Sequence, residues 1–375
     1  MPVLNFTKSV IIIFTLTIFI MKQSYSQSTI TPVRLAVAGT SHGHVPWILE
    51  RKSAGDVILA GIYEKDEQLA AKLSRTYRLN SSIFFNDLNK MLDDVKPEAV
   101  VAFGSTFDHL AVVEACAPRG IHVMVEKPLA VNTEHATLMV KLAQKFNIIL
   151  LTNYETSWYP VTEKTYQLIT DSNFVGNITK AVFHHGHQGP KKIGVNDEFF
   201  QWLTDPIQNG GGALMDFGCY GANIMTYLMK GQLPVSVTAV TQNFQPSVYP
   251  NVDDEATIII NYPTTQCIIQ ASWNWPYNRK DMEIYGDKGY IKTLDNTNMK
   301  IKNNNNNKTE QNLIVTTDDV SVYEDPFSYF ADAIRGKIII PPFSLYALDN
   351  NELVVRILEA AKISAKTGKT VLLDQ

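Results

Sequence analysis

From residue 33 to residue 153 the chain alternates short apolar runs with helix-length segments, and that regular order constrains its fold more than any other feature. The runs are VRLAVAG (33–39), VILAGIYE (57–64), AVVAFG (99–104), IHVMVE (121–126) and IILLTN (148–153). The first two bracket a helix-length segment; helical candidates 66–77, 86–92, 107–118 and 133–146 follow, the last with Asn132 as N-cap. Strand, helix, strand in this order predicts a parallel, doubly wound sheet. After residue 153 the pattern becomes α+β: a helix at 160–171, a strand at 176–187, a helix at 213–229, then strands at 235–243, 254–262, 266–273, 280–286 and 289–293 that read as antiparallel. A last helix, 345–366, ends at Gly368, the usual residue past a helix C-terminus. The expectation is an α/β protein: a doubly wound domain over 31–152, an α+β domain with a large open, mostly antiparallel sheet over 153–344, and a C-terminal helix and tail (345–375) packing back on the first domain. An open sheet leaves one face to cover, so a homodimer or homotetramer through that sheet is expected.

Composition removes several classes of function. A chain of 375 residues is long for one core, and 45% hydrophobic with 19% charged residues excludes a disordered chain and a multi-span membrane protein. A net charge of -4 without a basic stripe gives no footprint for nucleic acid. Cys116, Cys219 and Cys267 lie far apart with no C-x-x-C pair, which implies neither a zinc site nor a disulfide framework. The first 30 residues stand outside the pattern: Lys8 precedes the apolar run 10–21, and KQSYSQS follows. They read as a signal peptide cleaved near Ser26, which predicts an exported, periplasmic protein; the alternative is an uncleaved segment that tethers the chain to the membrane. The asparagine run at 302–308 reads as an exposed loop tip.

The stretch LAVAGTSHGHV (35–45) follows the first strand, where a dinucleotide-binding turn places G-x-G-x-x-G. Counting from Gly39, Ser41 occupies the second glycine position and His44 the third. The context supplies what the turn lacks, because a strand precedes it and Glu64 ends the second strand. An acidic side chain there accepts from ribose hydroxyls and repels a 2′-phosphate, favouring NAD over NADP.

The run IHVMVEKPL (121–129) delivers Glu126, Lys127 and Pro128 beyond the carboxyl end of a strand, where ligands bind in open α/β sheets. With FGSTFDHLAVVEACAPRG before it, and GGGALMDFGCYGANIM (210–225) after it, the chain over 33–370 resembles the Gfo/Idh/MocA family of oxidoreductases. The resemblance implies a Rossmann domain that binds a nicotinamide cofactor, with Lys127, Asp216 and Tyr220 as catalytic residues. It also implies cofactor contacts from Gly39, Thr40, Ser41, His42, Gly43, Glu64, Gly104, Ser105, His109, Glu126 and Lys127, and substrate contacts from Tyr154, His185, His187 and Trp273. Tyr220 stands where many members carry histidine, and is similar to the glucose-fructose oxidoreductase and dihydrodiol dehydrogenase branches; Asn223 replaces an aspartate that often follows.

Chemistry supports those roles independently. Oxidising a sugar hydroxyl needs a group to take its proton, and a free tyrosine, with a pKa of about 10, is a weak base. A neighbouring ammonium such as Lys127 would favour the phenolate and bond the reacting oxygen, although the two roles can be exchanged. The cluster HHGHQGP (184–190) invites a metal reading, but strand alternation sends His185 and His187 to one face and His184 to the other, with no acid or thiol in the run, so no metal site is expected. Trp273 and Trp275 form either a sugar-stacking face or sheet and interface packing. The reading is an exported NAD(P)-dependent enzyme acting on a carbohydrate, glycoside or polyol. Its alternatives are a redox-neutral NAD-dependent glycosidase or sugar-sugar oxidoreductase with retained cofactor, and a non-catalytic carbohydrate-binding protein.

Overall fold

The structure, a computed structural model, describes residues 31–304 and 307–373; the leader assignment for 1–30 and the centre of the asparagine run lie outside the described residues. The first domain runs β1 (Val33–Ala38), α1 (Pro46–Leu49), β2 (Val57–Tyr63), α2 (Glu67–Thr76), β3 (Phe84–Phe85), α3 (Leu88–Val95), β4 (Ala99–Ala102), α4 (Asp108–Cys116), β5 (His122–Glu126), α5 (Thr133–Phe146) and β6 (Leu150–Asn153). Its six strands lie parallel in the order β3-β2-β1-β4-β5-β6. The strand order reverses between β1 and β4, and a ligand crevice belongs at the carboxyl ends of such a pair. The central strands are buried on both faces, which explains their continuous apolar runs.

The segment after β1 departs from expectation. It forms one turn of helix rather than a full one, because Pro46 starts it and the polar stretch RKSAG ends it. Arg51 at its end is tied to Asp56 through both Nη atoms (2.9 and 2.8 Å) and to Asp325 (3.0 Å), which fixes the connection without a helix.

The second domain contains α6 (Pro160–Thr170), β7 (Ile178–Gly186), α7 (Pro190–Ile193), α8 (Asp197–Leu203), α9 (Ala213–Leu228), β8 (Ser236–Gln242), β9 (Glu255–Asn261), β10 (Gln266–Ser272), β11 (Arg279–Gly286), β12 (Gly289–Thr293), β13 (Asn298–Asn303), β14 (Asn307–Ile314), α10 (Pro326–Ile334), α11 (Leu348–Thr367) and β15 (Val371–Leu372). The nine strands order as β14-β13-β12-β11-β7-β10-β9-β8-β15, antiparallel except for β7 beside β10. The asparagine run joins β13 to β14, a hairpin whose strands the sequence left unassigned. Helix α9 lies close on β9 and β10, since the side chains of Ile258 and Ile269 fill the space a Cβ on Gly218 or Gly221 would need. The C-terminal segment divides its contacts: α11 packs on α9 and β8 as well as on α5 and β6 of the first domain, and β15 pairs with β8. Its apolar residues thus face both cores at once. Among the described residues no helix is long and apolar enough to cross a membrane.

Candidate active site

At the strand-order reversal, Gly39 follows β1 and Gly104 follows β4. Gly39 has φ +75°, and a Cβ there would stand 2.8 Å from both N and Cα of Gly104, so the two loops meet backbone to backbone. Gly39→Ala is therefore expected to cost about 1–3 kcal/mol of stability and to weaken dinucleotide binding at least as strongly, read by thermal unfolding and by cofactor titration. Beside this contact lies a cleft of about 360 Å³ bordered by Ser41, Glu64, Lys65, Ser105, Asp108 and Gln208.

Glu64 is less open than the sequence implies. Its Oε2 accepts from the Thr40 amide (2.9 Å) and hydroxyl (2.6 Å), and its Oε1 from the Asp66 amide (2.9 Å). A carboxylate has about four acceptor positions, so about one remains for a ligand. Ser105 bridges Asp108 (2.8 Å) and Gln208 (2.7 Å), binding the first domain's loop to the second domain. His109 turns away from the cleft: it is buried and its Nδ1 donates to the Leu129 carbonyl at 3.1 Å, tying α4 to the loop beyond Pro128.

The histidines of the opening loop belong to a network around Glu126. The Nδ1 of His42 accepts from the His44 amide (3.0 Å), so the hydrogen of this ring sits on Nε2, which finds no partner among the described residues. Burial holds His42 well below its ordinary pKa, and Phe103, Phe199 and Trp202 box the ring. Gly43 meets the same Phe199, whose ring stands 3.3 Å from where its Cβ would lie. Glu126 takes His44 Nδ1 at 3.1 Å on one oxygen and the Asn153 amide at 2.7 Å on the other. Burial would raise this carboxyl, but the His44 ring and the Asn153 amide outweigh it and bring it to about 2. One ligand atom from each of His42, His44 and Glu126 lies within 4.8 Å of the others, the residue types of a metal site. The same groups are already joined by hydrogen bonds: His42 Nδ1 accepts from the His44 amide, and His44 Nδ1 donates to the Glu126 carboxylate.

The third group joins the domains. Lys127, one residue past β5, forms a buried ion pair with Asp216 of α9 and also donates to the Asp216 carbonyl at 3.1 Å. Burial alone would lower the lysine and raise the aspartate; their attraction wins, holding the ammonium and the carboxylate charged. The second Asp216 oxygen accepts the Trp273 indole N–H at 2.9 Å. Trp273 is thus a wholly buried support for Asp216 and not the sugar-stacking face that was one of its two sequence readings. Asn223 is also supporting: its amide bonds the Leu345 carbonyl (2.8 Å) and Asn350 (3.0 Å), locking α9 to α11 one turn beyond the site.

Tyr220, one turn after Asp216, is buried with Lys127 Nζ 5.2 Å from its ring centre. Lys280 Nζ lies 5.2 Å from the same centre, and it is paired with Glu155. The expected phenolate is not favoured: burial, together with the Glu155 and Asp216 carboxylates, pushes this phenol well above its ordinary pKa. Both neighbouring ammoniums are already matched by their own carboxylates, which leaves burial to decide. Tyr154 stands edge-on to Tyr220 at 5.4 Å and is buried, so it packs behind that ring.

Of the three histidines of β7 and its end, His184 and His185 follow simple alternation and His187 departs from it. His185 is wholly buried under α9, 5.7 Å from the Tyr220 ring, and neither nitrogen has a partner among the described residues; burial brings it to about 3. The strand ends at Gly186, whose φ of +152° and lack of room for any Cβ break the alternation, so His187 leaves that face. His187 instead packs edge-on to Phe217 at 4.8 Å and borders a pocket of about 330 Å³ with Glu155, Tyr159, Arg279 and Lys280. Its Nδ1 accepts from the Gly189 amide at 2.9 Å and burial brings it to about 4, so it presents a neutral Nε2–H donor. His184 faces the opposite side and meets Asp281 at 3.1 Å. Glu155, Tyr159 and Lys280 escaped the sequence reading because they carry no motif; only the pairing of β11 with β7 brings Lys280 opposite His185.

The model of the oxidoreductase family's NAD-binding Rossmann fold matches residues 33–154, and that of the GFO/IDH/MocA C-terminal domain matches 164–292. The chain belongs to the Gfo/Idh/MocA oxidoreductase family. Among its Gfo/Idh/MocA relatives, trans-1,2-dihydrobenzene-1,2-diol dehydrogenase of Xenopus laevis is 30% identical over 183 residues, 49% of this chain and 51% of that one. The chain thus spans about half the length of the dihydrodiol dehydrogenases it matches. D-xylose 1-dehydrogenase [NADP(+)] of Haloarcula marismortui is 22% identical across 94% of this chain and 97% of its own. Solved structures share the Gfo/Idh/MocA fold: an aldose-aldose oxidoreductase from Caulobacter crescentus complexed with glycerol has a TM-score of 0.74 at 20% identity, covering 91% of this chain and 100% of that one. An inositol dehydrogenase homolog complexed with NAD+ from Azotobacter vinelandii has a TM-score of 0.76 at 18% identity, covering 92% and 98%.

Proposed function

We propose that this chain moves hydride between a nicotinamide dinucleotide and a CH–OH or carbonyl carbon of a sugar, glycoside or polyol. The observation that carries this reading is the buried Lys127–Asp216 pair at the end of β5, one helical turn from Tyr220. The crevice fits the dinucleotide: the Gly39–Gly104 contact is a cradle that one Cβ would fill, Ser41 and Ser105 border the cleft, and Glu64 keeps about one acceptor position for a ribose hydroxyl. The Glu64 carboxylate disfavours a 2′-phosphate, so NAD is the cofactor we assign. When bound, the dinucleotide supplies the carbon that takes or gives hydride.

Lys127 Nζ, held by Asp216, donates to the reacting oxygen and stabilises its negative charge. Tyr220 carries the exchanging proton on its hydroxyl oxygen. Kept as a phenol by burial, it is poised to give that proton to a carbonyl oxygen; alcohol oxidation runs the same transfer backwards and starts from the phenolate, after the phenol has lost its proton to solvent. Tyr154 and His185 pack around the Tyr220 ring and keep bulk water from it. Tyr220→Phe is expected to lower turnover by roughly 10²–10⁴-fold while dinucleotide affinity stays unchanged. Unchanged turnover would place the proton elsewhere, and sugar binding without dinucleotide binding would favour a carbohydrate-binding protein.

A second reading is a redox-neutral reaction with retained cofactor, either between two sugars or at a glycosidic bond. It is favoured by the clamp of the second domain on the cofactor loop: Phe199 and Trp202 of α8 pack on His42, and Gln208 accepts from the Phe107 amide at 2.9 Å and from Ser105. Export through residues 1–30 would suit a cofactor that never leaves. The outer face of the nine-stranded sheet is the surface we assign to a homodimer or homotetramer.

A further inference from the structure

We propose that Glu155 and Lys280 form the substrate-recognition pair of this site, and that they read adjacent hydroxyls of an uncharged polyol ring in preference to a sugar acid or sugar phosphate. The inference rests on the reading of the site as a carbohydrate oxidoreductase and names the substrate class it takes.

The pocket of about 330 Å³ holds two cations and two carboxylates, Arg279, Lys280, Glu155 and Asp295, and each is matched before any ligand arrives. Lys280 pairs with Glu155. Arg279 grips Asp281 with Nε and Nη2, both at 2.8 Å, and lies 4.5 Å from the Trp275 ring centre. Asp295 is capped by the amides of Thr297 (2.8 Å) and Asn298 (2.7 Å) and by the Asn298 side chain (2.7 Å). His187 is neutral and offers a donor. An anionic ligand therefore finds no spare cation among the residues that line the pocket, and binding it would strip a partner from Glu155 or Asp281.

A neutral polyol needs no such exchange. The Lys280 ammonium has three hydrogens, and the Glu155 carboxylate about four acceptor positions; their mutual bond and the Tyr159 hydroxyl, 2.5 Å from Glu155 Oε1, use only part of these. About two donors and two acceptors remain side by side, the complement of two neighbouring hydroxyls that each give and take a hydrogen bond. Lys280 Nζ stands as far from the Tyr220 ring centre as Lys127 Nζ does, 5.2 Å in both cases, so the pair adjoins the residue assigned to proton transfer. Lys280 and Glu155 thus act by touching substrate, outside the Lys127–Asp216 couple.

The test is calorimetric binding with NAD present, using myo-inositol, D-glucose and D-xylose against D-glucuronate and D-glucose 6-phosphate, on the wild-type chain and on Lys280→Met, Glu155→Gln and the double variant. The expected result is that at least one neutral ligand binds and that both anions bind at least about tenfold more weakly. Each single variant should weaken the neutral ligand by about tenfold or more, and the double variant by little more than either single, because the pair acts as a unit. NAD affinity, measured separately, should stay as in the wild type. Anions that bind as tightly as neutral sugars, neutral ligands that none of the wild-type titrations detects, or variants that leave neutral binding intact would each overturn the proposal. Loss of NAD binding in the wild type would instead sink the oxidoreductase reading, whatever the sugars do.

Discussion

Lys127→Met is expected to abolish activity and to destabilise the fold together. Removing the ammonium leaves the Asp216 carboxylate buried, with only the Trp273 indole and no opposite charge. Breaking one side of a buried ion pair costs about 3–5 kcal/mol, far more than the pair itself adds, because the remaining charge must be kept away from water. Turnover should fall by roughly 10³-fold or more, since the group that meets the reacting oxygen is gone. The double variant Lys127→Met, Asp216→Asn separates the two effects. It removes the orphaned charge and keeps a side chain that can accept the Trp273 N–H, so chemical denaturation should show most of the stability restored. Activity should stay lost. A double variant as unstable as the single one would mean that Lys127 holds the domains together by packing and not by charge.

The second large effect is acid lability set by buried imidazoles. His185 is brought to about 3, His187 to about 4 and His42 well below its ordinary value, all chiefly by burial. In the unfolded chain each returns to about 6.5. Near pH 5 the unfolded state therefore binds close to two more protons than the folded state at His185 and His187, and His42 acts in the same direction, so the stability these rings contribute is complete only well above about 6.5 and is lost as pH falls. The slope should reach at least about 2.5 kcal/mol per pH unit near pH 5, enough to unfold a marginally stable domain within about two units. Glu126, held at about 2, acts in the same direction but only below the ordinary carboxylate range. Thermal unfolding across this range measures the slope. His185→Phe should reduce it by about one proton's worth, about 1.4 kcal/mol per pH unit, and raise stability at low pH, because it replaces a buried ring whose two nitrogens find no partner among the described residues by an apolar one. A midpoint that stays level from neutral pH to pH 5 would show that these rings are hydrated in solution.

The parts of this protein that the sequence displays are those whose cause is local. Strands β1, β4, β5 and β6 of the first sheet announce themselves because a parallel strand buried on both faces must be apolar throughout. Helix α5 is marked by Asn132, whose side chain accepts from the His135 amide at 2.8 Å, and the end of α11 by Gly368 in the left-handed conformation. What is decided by pairing across the chain was not visible. The fate of Trp273 depends on Asp216, 57 positions away, and the role of Lys280 on Glu155, 125 positions away. Alternation along β7 fails at Gly186 because of one backbone angle that no neighbouring residue type reveals. The protonation of Tyr220 reversed for a similar reason: the nearby ammoniums are evident in sequence only as lysines, while their carboxylate partners come from other elements.

The central claim is that Lys127, Asp216 and Tyr220 act on a carbohydrate carbon beside a bound nicotinamide. It is tested most directly by following reduced-nicotinamide absorbance after neutral polyols are added to the purified chain with NAD, in parallel with Lys127→Met and with a native mass measurement of bound dinucleotide. The expected result is dinucleotide bound to both proteins and reduction in the wild type alone. Reduction at the same rate in Lys127→Met, or a wild-type protein that binds no dinucleotide, would contradict it.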